Sequence, residues 1–197
     1  TALDLSNNFI SGNLLKFLCF NPAQMRDTEF LNLQGNLLSG EMPDCWRSWE
    51  NLKVIRLGNN QLRGNISNSI GTLSNLLSLR IQNNSLTGEI PLSIGNCSNL
   101  VSIDFGDNIF EGRIPRWIGE KLSRLAIINL RGNRFHGDIP DEVCHLQLLQ
   151  ILDLSHNFLS GNLPECVDNI SAMADTRYVD AGVIYLFFGG AKTFVEY

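Results

Sequence analysis

The side chains of this 197-residue chain that could do chemistry begin with three histidines, twenty carboxylates and five cysteines. His136, His145 and His156 fall at dissimilar places in the text around them and make no metal-ligand spacing. There is no Gly-x-Ser-x-Gly, no phosphate-binding loop and no Cys-x-x-Cys. Asp104 and Asp107 are the nearest thing to a catalytic carboxylate pair, and both read as exposed, solvated strand-edge positions. No active site, metal or cofactor is therefore expected. The arginines carry more. Arg56 and Arg80 are 24 residues apart, and Asp104 follows after 24 more. Guanidinium forks suit carboxylate-bearing and other anionic ligands, so this spacing points to binding. The plain alternative is an ordinary polar surface.

What positions these residues is a period. The phrase L-x-L-x-x-N-x-L-x-G-x-I-P, aligned on its asparagine, recurs at Asn8, Asn36, Asn60, Asn84, Asn108, Asn133 and Asn157, in steps of 28, 24, 24, 24, 25 and 24 residues. The glycine four places on is present every time, from Gly12 to Gly161. The leucine pair has period two and marks a short strand with one buried face. The asparagine amide can bond backbone of its own coil and the next, where an unsatisfied group would cost about 1–3 kcal/mol. The proline (Pro43, Pro91, Pro115, Pro140, Pro164) fixes φ and starts the return segment. One repeat cannot bury its own apolar edge, but stacked repeats share a core. The expectation is an α/β leucine-rich-repeat solenoid with 24-residue repeats. A parallel sheet lines its concave face, and 3₁₀ or irregular segments lie on the convex side. Residues 1–170 hold seven repeats, the first incomplete, and 171–197 form a non-repeat segment.

In that frame the residue between the strand leucines points to the concave face. The column reads Asp4, Asn32, Arg56, Arg80, Asp104, Asn129 and Asp153, and two places on it reads Ser6, Gln34, Gly58, Gln82, Gly106, Arg131 and Ser155. The candidate ligand-binding residues are Arg56, Arg80, Gln82, Asp104, Asn129, Arg131, Asp153 and His156. A second candidate surface joins Asp153 and His156 to aromatics of the tail, such as Tyr178 and Tyr185.

The same frame sorts the cysteines. Cys19 and Cys144 share one column, and Cys45 and Cys166 share another on the following coil. Neighbouring coils lie about 5 Å apart, within reach of a disulfide. Disulfides Cys19–Cys45 and Cys144–Cys166 are predicted, the alternative being five reduced, buried thiols. Cys97 shares a column with Trp49, Leu73, Leu146 and Ile170 and reads as a free core thiol. Two disulfides imply an oxidising, secreted setting. The sequons at Asn65, Asn83, Asn96 and Asn169 agree with it. A glycan on Asn83, at the edge of the concave sheet, would narrow any binding surface.

Finer phrases resemble one group of proteins. "LSGEMP", "LTGEIP" and "LSGNLP" resemble the plant extracellular class of these repeats. "GEMPDCWRSWENL", "SIGNCSNLVSIDFGDNIFEGRIPRWIG", "CHLQLLQILDLSHNFLSG" and "LPECVDNISAMA" resemble plant receptor-like proteins of the fungal-xylanase-receptor type, over residues 1 to about 174. The resemblance implies sensing of microbial proteins or peptides in innate immunity, with a co-receptor kinase. It also implies a place on the outer face of the plasma membrane, anchored by a later helix that this chain lacks. Such receptors interrupt their repeats with an island near the membrane. The tail fits one: the eighth asparagine would fall near Ala181, and "AKTFVEY" keeps the Lys192 and Glu196–Tyr197 ends of similar islands. The chain starts mid-repeat and reads as a piece with two open ends.

Composition closes off other classes. A net charge of −5 and no basic run argue against nucleic acid. No apolar run reaches a membrane-spanning length, and the nearest, 181–191, is broken by glycines. Two readings stay beside the immune receptor. One is the ectodomain of a growth or hormone receptor kinase. The other is a secreted inhibitor resembling polygalacturonase inhibitors, although those have no island.

Overall fold

The computed structural model describes residues 1–20, 26–166 and 170. Each repeat contributes one three-residue strand to a first parallel sheet: Ala2–Asp4, Phe30–Asn32, Val54–Arg56, Ser78–Arg80, Ser102–Asp104, Ile127–Asn129 and Ile151–Asp153. They lie side by side in chain order, and equivalent repeat positions pair, as Leu31 does with Ile55 and Arg56 with Arg80. This is the expected concave-face sheet.

A second seven-stranded parallel sheet was not anticipated. It is built from Ser11–Asn13, Leu37–Glu41, Gln61–Gly64, Ser85–Gly88, Ile109–Gly112, Arg134–Gly137 and Phe158–Leu159. These segments also alternate, with Leu62, Leu86, Phe110 and Phe135 inside and charged or polar neighbours outside. Opposite charges meet across it in register, Glu41 with Arg63 and Glu111 with Arg134. Its glycines make the close approach possible. Gly112 has φ +91, and a Cβ there would stand 2.9 Å from Cγ of Glu89 on the coil before. The same seat recurs where Asn65 lies over Gly88 and Asp138 over Gly161.

Between the two sheets the chain turns through a left-handed residue just before each consensus asparagine. The position is filled by Asn7, Gly35, Asn59, Asn83, Asp107, Gly132 and His156. The convex side carries the expected 3₁₀ segments, at Trp46–Trp49, Asn68–Thr72, Leu92–Asn96 and Asp141–His145, plus short α-helices at Leu14–Cys19 and Trp117–Lys121.

The consensus asparagines bond backwards rather than forwards. Asn108 Nδ2 donates to Phe105 and Gly106 carbonyls of its own coil and to Ile81 of the preceding one, while its Oδ1 accepts from Leu86 N–H. Asn36, Asn60, Asn84, Asn133 and Asn157 repeat the pattern. A second amide ladder runs along the convex side, where Asn51, Asn75 and Asn99 each donate to a carbonyl of the preceding coil. One continuous apolar core threads the stack from Leu14 to Ile170, with Trp46, Trp49, Phe105, Phe110 and Phe135 fully buried in it. No helix among the described residues is long and apolar enough to cross a membrane.

Cys19 is bonded to Cys45 and Cys144 to Cys166, with Cα separations of 5.7 and 5.9 Å. Cys97 is free and fully buried, in line with buried Trp49, Leu73, Leu146 and Ile170. Burial pushes its thiol up to about 11, so it is an inert core residue.

Candidate ligand-binding site

The concave sheet turns its alternate side chains into one continuous polar ladder, because equivalent residues of successive coils stand a strand spacing apart. At its start, Asp4 accepts hydrogen bonds from the Ser6 backbone and hydroxyl and from Asn32 Nδ2. Burial works against the Asp4 charge, yet these bonds and nearby Arg56 hold its carboxyl below the ordinary value. Arg56 lies over the Phe30 ring, 5.4 Å from its centroid. Arg80 follows on the next strand, its Nη2 3.6 Å from Asp104 Oδ2. Asn129 Nδ2 then donates to Asp104 Oδ1 at 2.9 Å, and Gly106 N–H to the same oxygen. The ladder ends at Asp153, which accepts from Ser155.

Asp104 is therefore not the exposed strand-edge residue that its position in the repeat led us to expect. Its side chain is 4% exposed and that of Arg80 14%. The covering comes from flanking coils, with Arg80 on one side and Asn129 on the other. Desolvation dominates both partners. Burial raises the Asp104 carboxyl above its usual range, with Arg80 pulling the other way, and lowers the Arg80 guanidinium. Asp107 is exposed, as expected, in the left-handed turn. Arg56 and Arg80 are not free on a solvated face either: each leans on a partner of its own sheet.

Gln82 lies across Gly58, where an added Cβ would meet its amide, and Gln82 Oε1 is buried without a hydrogen bond among the described residues. Asn129 lies across Gly106 in the same way. The glycines in this column thus make the floor into which neighbouring amides fold. Arg131 is exposed at the rim, and His156 is exposed in the last left-handed turn. The structure brings Arg56, Arg80, Gln82, Asp104 and Asn129 together, with Arg131, Asp153 and His156 further along the stack. The column before them is one the sequence reading passed over. It reads Phe30, Val54, Ser78, Ser102, Ile127 and Ile151, with Ser78 and Ser102 hydroxyls hydrogen-bonded and fully buried. Ala126 and Ile127, with Val101 and Ile151 against them, form a small apolar cluster apart from the main core. The period-two alternation of each strand was the signal that could have found this column.

Of the sequon asparagines, Asn65, Asn83 and Asn96 are exposed, while Asn169 lies outside the described residues. So do Tyr178, Tyr185 and the whole 171–197 segment of the second candidate surface. Among the described residues no cluster of His, Cys, Asp or Glu could hold a metal.

The Leucine Rich Repeat family model matches residues 51–73, 75–97, 124–146 and 148–170. No curated protein sequence matches the chain. Among solved structures, the leucine-rich-repeat ectodomain of the receptor kinase GASSHO1/SCHENGEN3 from Arabidopsis thaliana, in complex with CASPARIAN STRIP INTEGRITY FACTOR 2, is similar at 35% identity. Its TM-score is 0.80, over 87% of this chain and 20% of that one. The Arabidopsis receptor kinase HAESA, in complex with the peptide hormone IDA and the co-receptor SERK1, gives 28% identity and TM-score 0.72, over 87% and 32%. The plant peptide hormone receptor RGFR1 in complex with RGF2 gives 33% and 0.70, over 87% and 30%. The chain thus spans a fifth to a third of the length of these neighbours. With two parallel sheets, matched repeats and these neighbours, the chain is a leucine-rich-repeat solenoid similar to the ectodomains of plant membrane receptors.

Proposed function

We propose that this chain is a ligand-recognition part of a plant cell-surface receptor ectodomain. It senses a microbial protein or peptide on the outer face of the plasma membrane and acts with a co-receptor kinase in innate immunity. The observation that carries this reading is the pair Arg56 and Arg80, in register on adjacent concave strands. Both are pre-oriented, one by an aromatic ring and the other by Asp104. A guanidinium held in place loses less side-chain entropy when it takes a ligand carboxylate. Asp4 and Asp104 lie beside them, so a ligand carboxylate would share these guanidiniums with carboxylates of their own sheet. Gln82 Oε1 and Asn129 add amide groups for a peptide backbone. The phrases shared with receptor-like proteins of the xylanase-receptor type favour microbial ligands. The bound hormones of HAESA and RGFR1 favour the second reading, a growth or hormone receptor ectodomain. A polygalacturonase-inhibitor-like role is the third.

The test is capture of secreted fungal proteins on the folded, glycosylated protein, with Arg56→Glu/Arg80→Glu as comparison. Capture is expected from the unaltered protein and lost in the double variant. Equal capture by both, or none by a folded protein, overturns ligand binding through this face. Assaying any captured protein for enzymatic activity separates inhibitor from receptor, since an inhibitor abolishes it.

A further inference from the structure

We propose that Asn65 is an N-glycosylation site whose first sugar is seated in the fold, in a groove between the second and third coils, rather than projecting freely. The groove, of about 520 Å³, is lined by Asn65 itself together with Glu41, Met42, Asp44, Ile66, Ser67 and Asn68. Asn65-Ile66-Ser67 is an acceptor triplet. This inference does not rest on the ligand reading, because the groove opens beside the second sheet and not on the concave face.

The orientation of the Asn65 amide carries the argument. Its Oδ1 accepts from the Thr87 hydroxyl at 3.1 Å and lies over Gly88, where a Cβ would come within 2.6 Å of it. Its Nδ2 donates to no described residue. Glycosylation replaces one Nδ2 hydrogen with the anomeric carbon of an oligosaccharide. The bond between the anomeric carbon and the diphosphate oxygen of the activated donor breaks, the diphosphate leaves with that oxygen, and the nitrogen proton is lost to the transferase. Oδ1 is untouched, so the bond that fixes the side chain survives the modification. Asn83 differs: its Nδ2 already donates to Asn59 Oδ1 at 2.8 Å, within a left-handed turn.

The lining suits the first sugar. Met42 and Ile66 close the groove's base, each only 4% exposed, so the sugar would meet them edge-on beneath a polar wall. Asp44 accepts hydrogen bonds from Ser67 and Ser69, which hold its carboxyl below the ordinary value, and its oxygens form an acceptor wall for sugar hydroxyls. Asn68 and Glu41 complete the polar rim.

The experiment takes protein secreted from a eukaryotic host and maps Asn65 by mass spectrometry of its glycopeptide. Amide hydrogen exchange is then compared in three forms: fully glycosylated, trimmed by an endoglycosidase to one sugar, and Asn65→Gln. Ser67→Thr, which keeps both triplet and hydroxyl, is the folding control. Expected are a modified Asn65, equal protection of the amides of Met42, Asp44 and Cys45 and of 64–69 in the first two forms, and about fivefold faster exchange there in Asn65→Gln. An unmodified Asn65 overturns the proposal. So does a modified Asn65 whose single remaining sugar leaves exchange no slower than in Asn65→Gln.

Discussion

At the scale of single residues, Asp104 shows why a column is easier to read than its environment. The register of Asp104 with Arg80 and Asn129 follows from counting, but its burial depends on how far two long side chains from flanking coils lean over it. No property of the strand's own text reports that. The consequence is measurable. A carboxyl whose folded pKa is raised takes up its proton earlier in the folded chain than in the unfolded one. Its contribution to stability is then fully present below the unfolded value, near 3.8, and is lost as pH rises through the raised folded value. The attraction of Arg80 is already included in that balance. Asparagine keeps the shape without the charge, so by this balance Asp104→Asn should be more stable than the unaltered protein at pH 7. The difference should vanish as the pH is lowered below 3.8. Urea unfolding at both pH values checks this. A variant less stable at pH 7 would mean that the ion pair outweighs its burial.

At the scale of elements, the repeat declared its first strand, its proline corner and its 3₁₀ return, because each has a residue type that only one geometry satisfies. The second sheet was legible too, in segments such as Gln61-Leu62-Arg63 and Ser85-Leu86-Thr87, but two or three residues of alternation pass easily for a loop. The left-handed column was equally readable from its Asn, Gly and Asp content, apart from His156. What counting could not supply is the direction of the asparagine bonds. They run to the preceding coil, where Nδ2 shares a carbonyl with that coil's own asparagine, as Asn108 and Asn84 share Ile81. That direction makes the ladder unequal along the chain. Asn108 is buried and its side chain serves three carbonyls and one N–H, whereas Asn8 is exposed and its side chain, among the described residues, bonds only within its own coil, to Leu5 and Ser6. Asn108→Ala should cost about 3 kcal/mol, since it leaves the buried Leu86 N–H without its acceptor and removes three further bonds, and Asn8→Ala less than about 1 kcal/mol. Chemical denaturation of the two variants reads the difference. Equal costs would show that the ladder contributes nothing across coils.

At the scale of the whole molecule, each coil touches only its neighbours, so stability is a chain of local contacts and the ends are its weakest part. The two disulfides sit where that matters: Cys19–Cys45 ties the first coil to the second, and Cys144–Cys166 the sixth to the seventh. The middle coils have no such bond and rely on their buried side chains, Leu79, Phe105, Phe110 and Leu125 among them. The last described coil has little of this: Leu152, Leu154 and Leu159 are only partly buried, and Phe158 is 70% exposed. A covalent tie that closes a loop of this size stabilises by about 2–4 kcal/mol, acting largely on the unfolded chain. In a one-dimensional stack that loss is felt locally. Cys144→Ser/Cys166→Ser should therefore speed amide exchange in 127–159 strongly while leaving 54–104 near its original rate. A globally cooperative fold would instead show the same acceleration everywhere. The concave Arg56–Arg80–Asp104 ladder lies in the protected middle, so ligand capture should survive loss of the terminal disulfide. Loss of capture in that variant would place part of the recognition surface in the final coils, with Asp153 and His156.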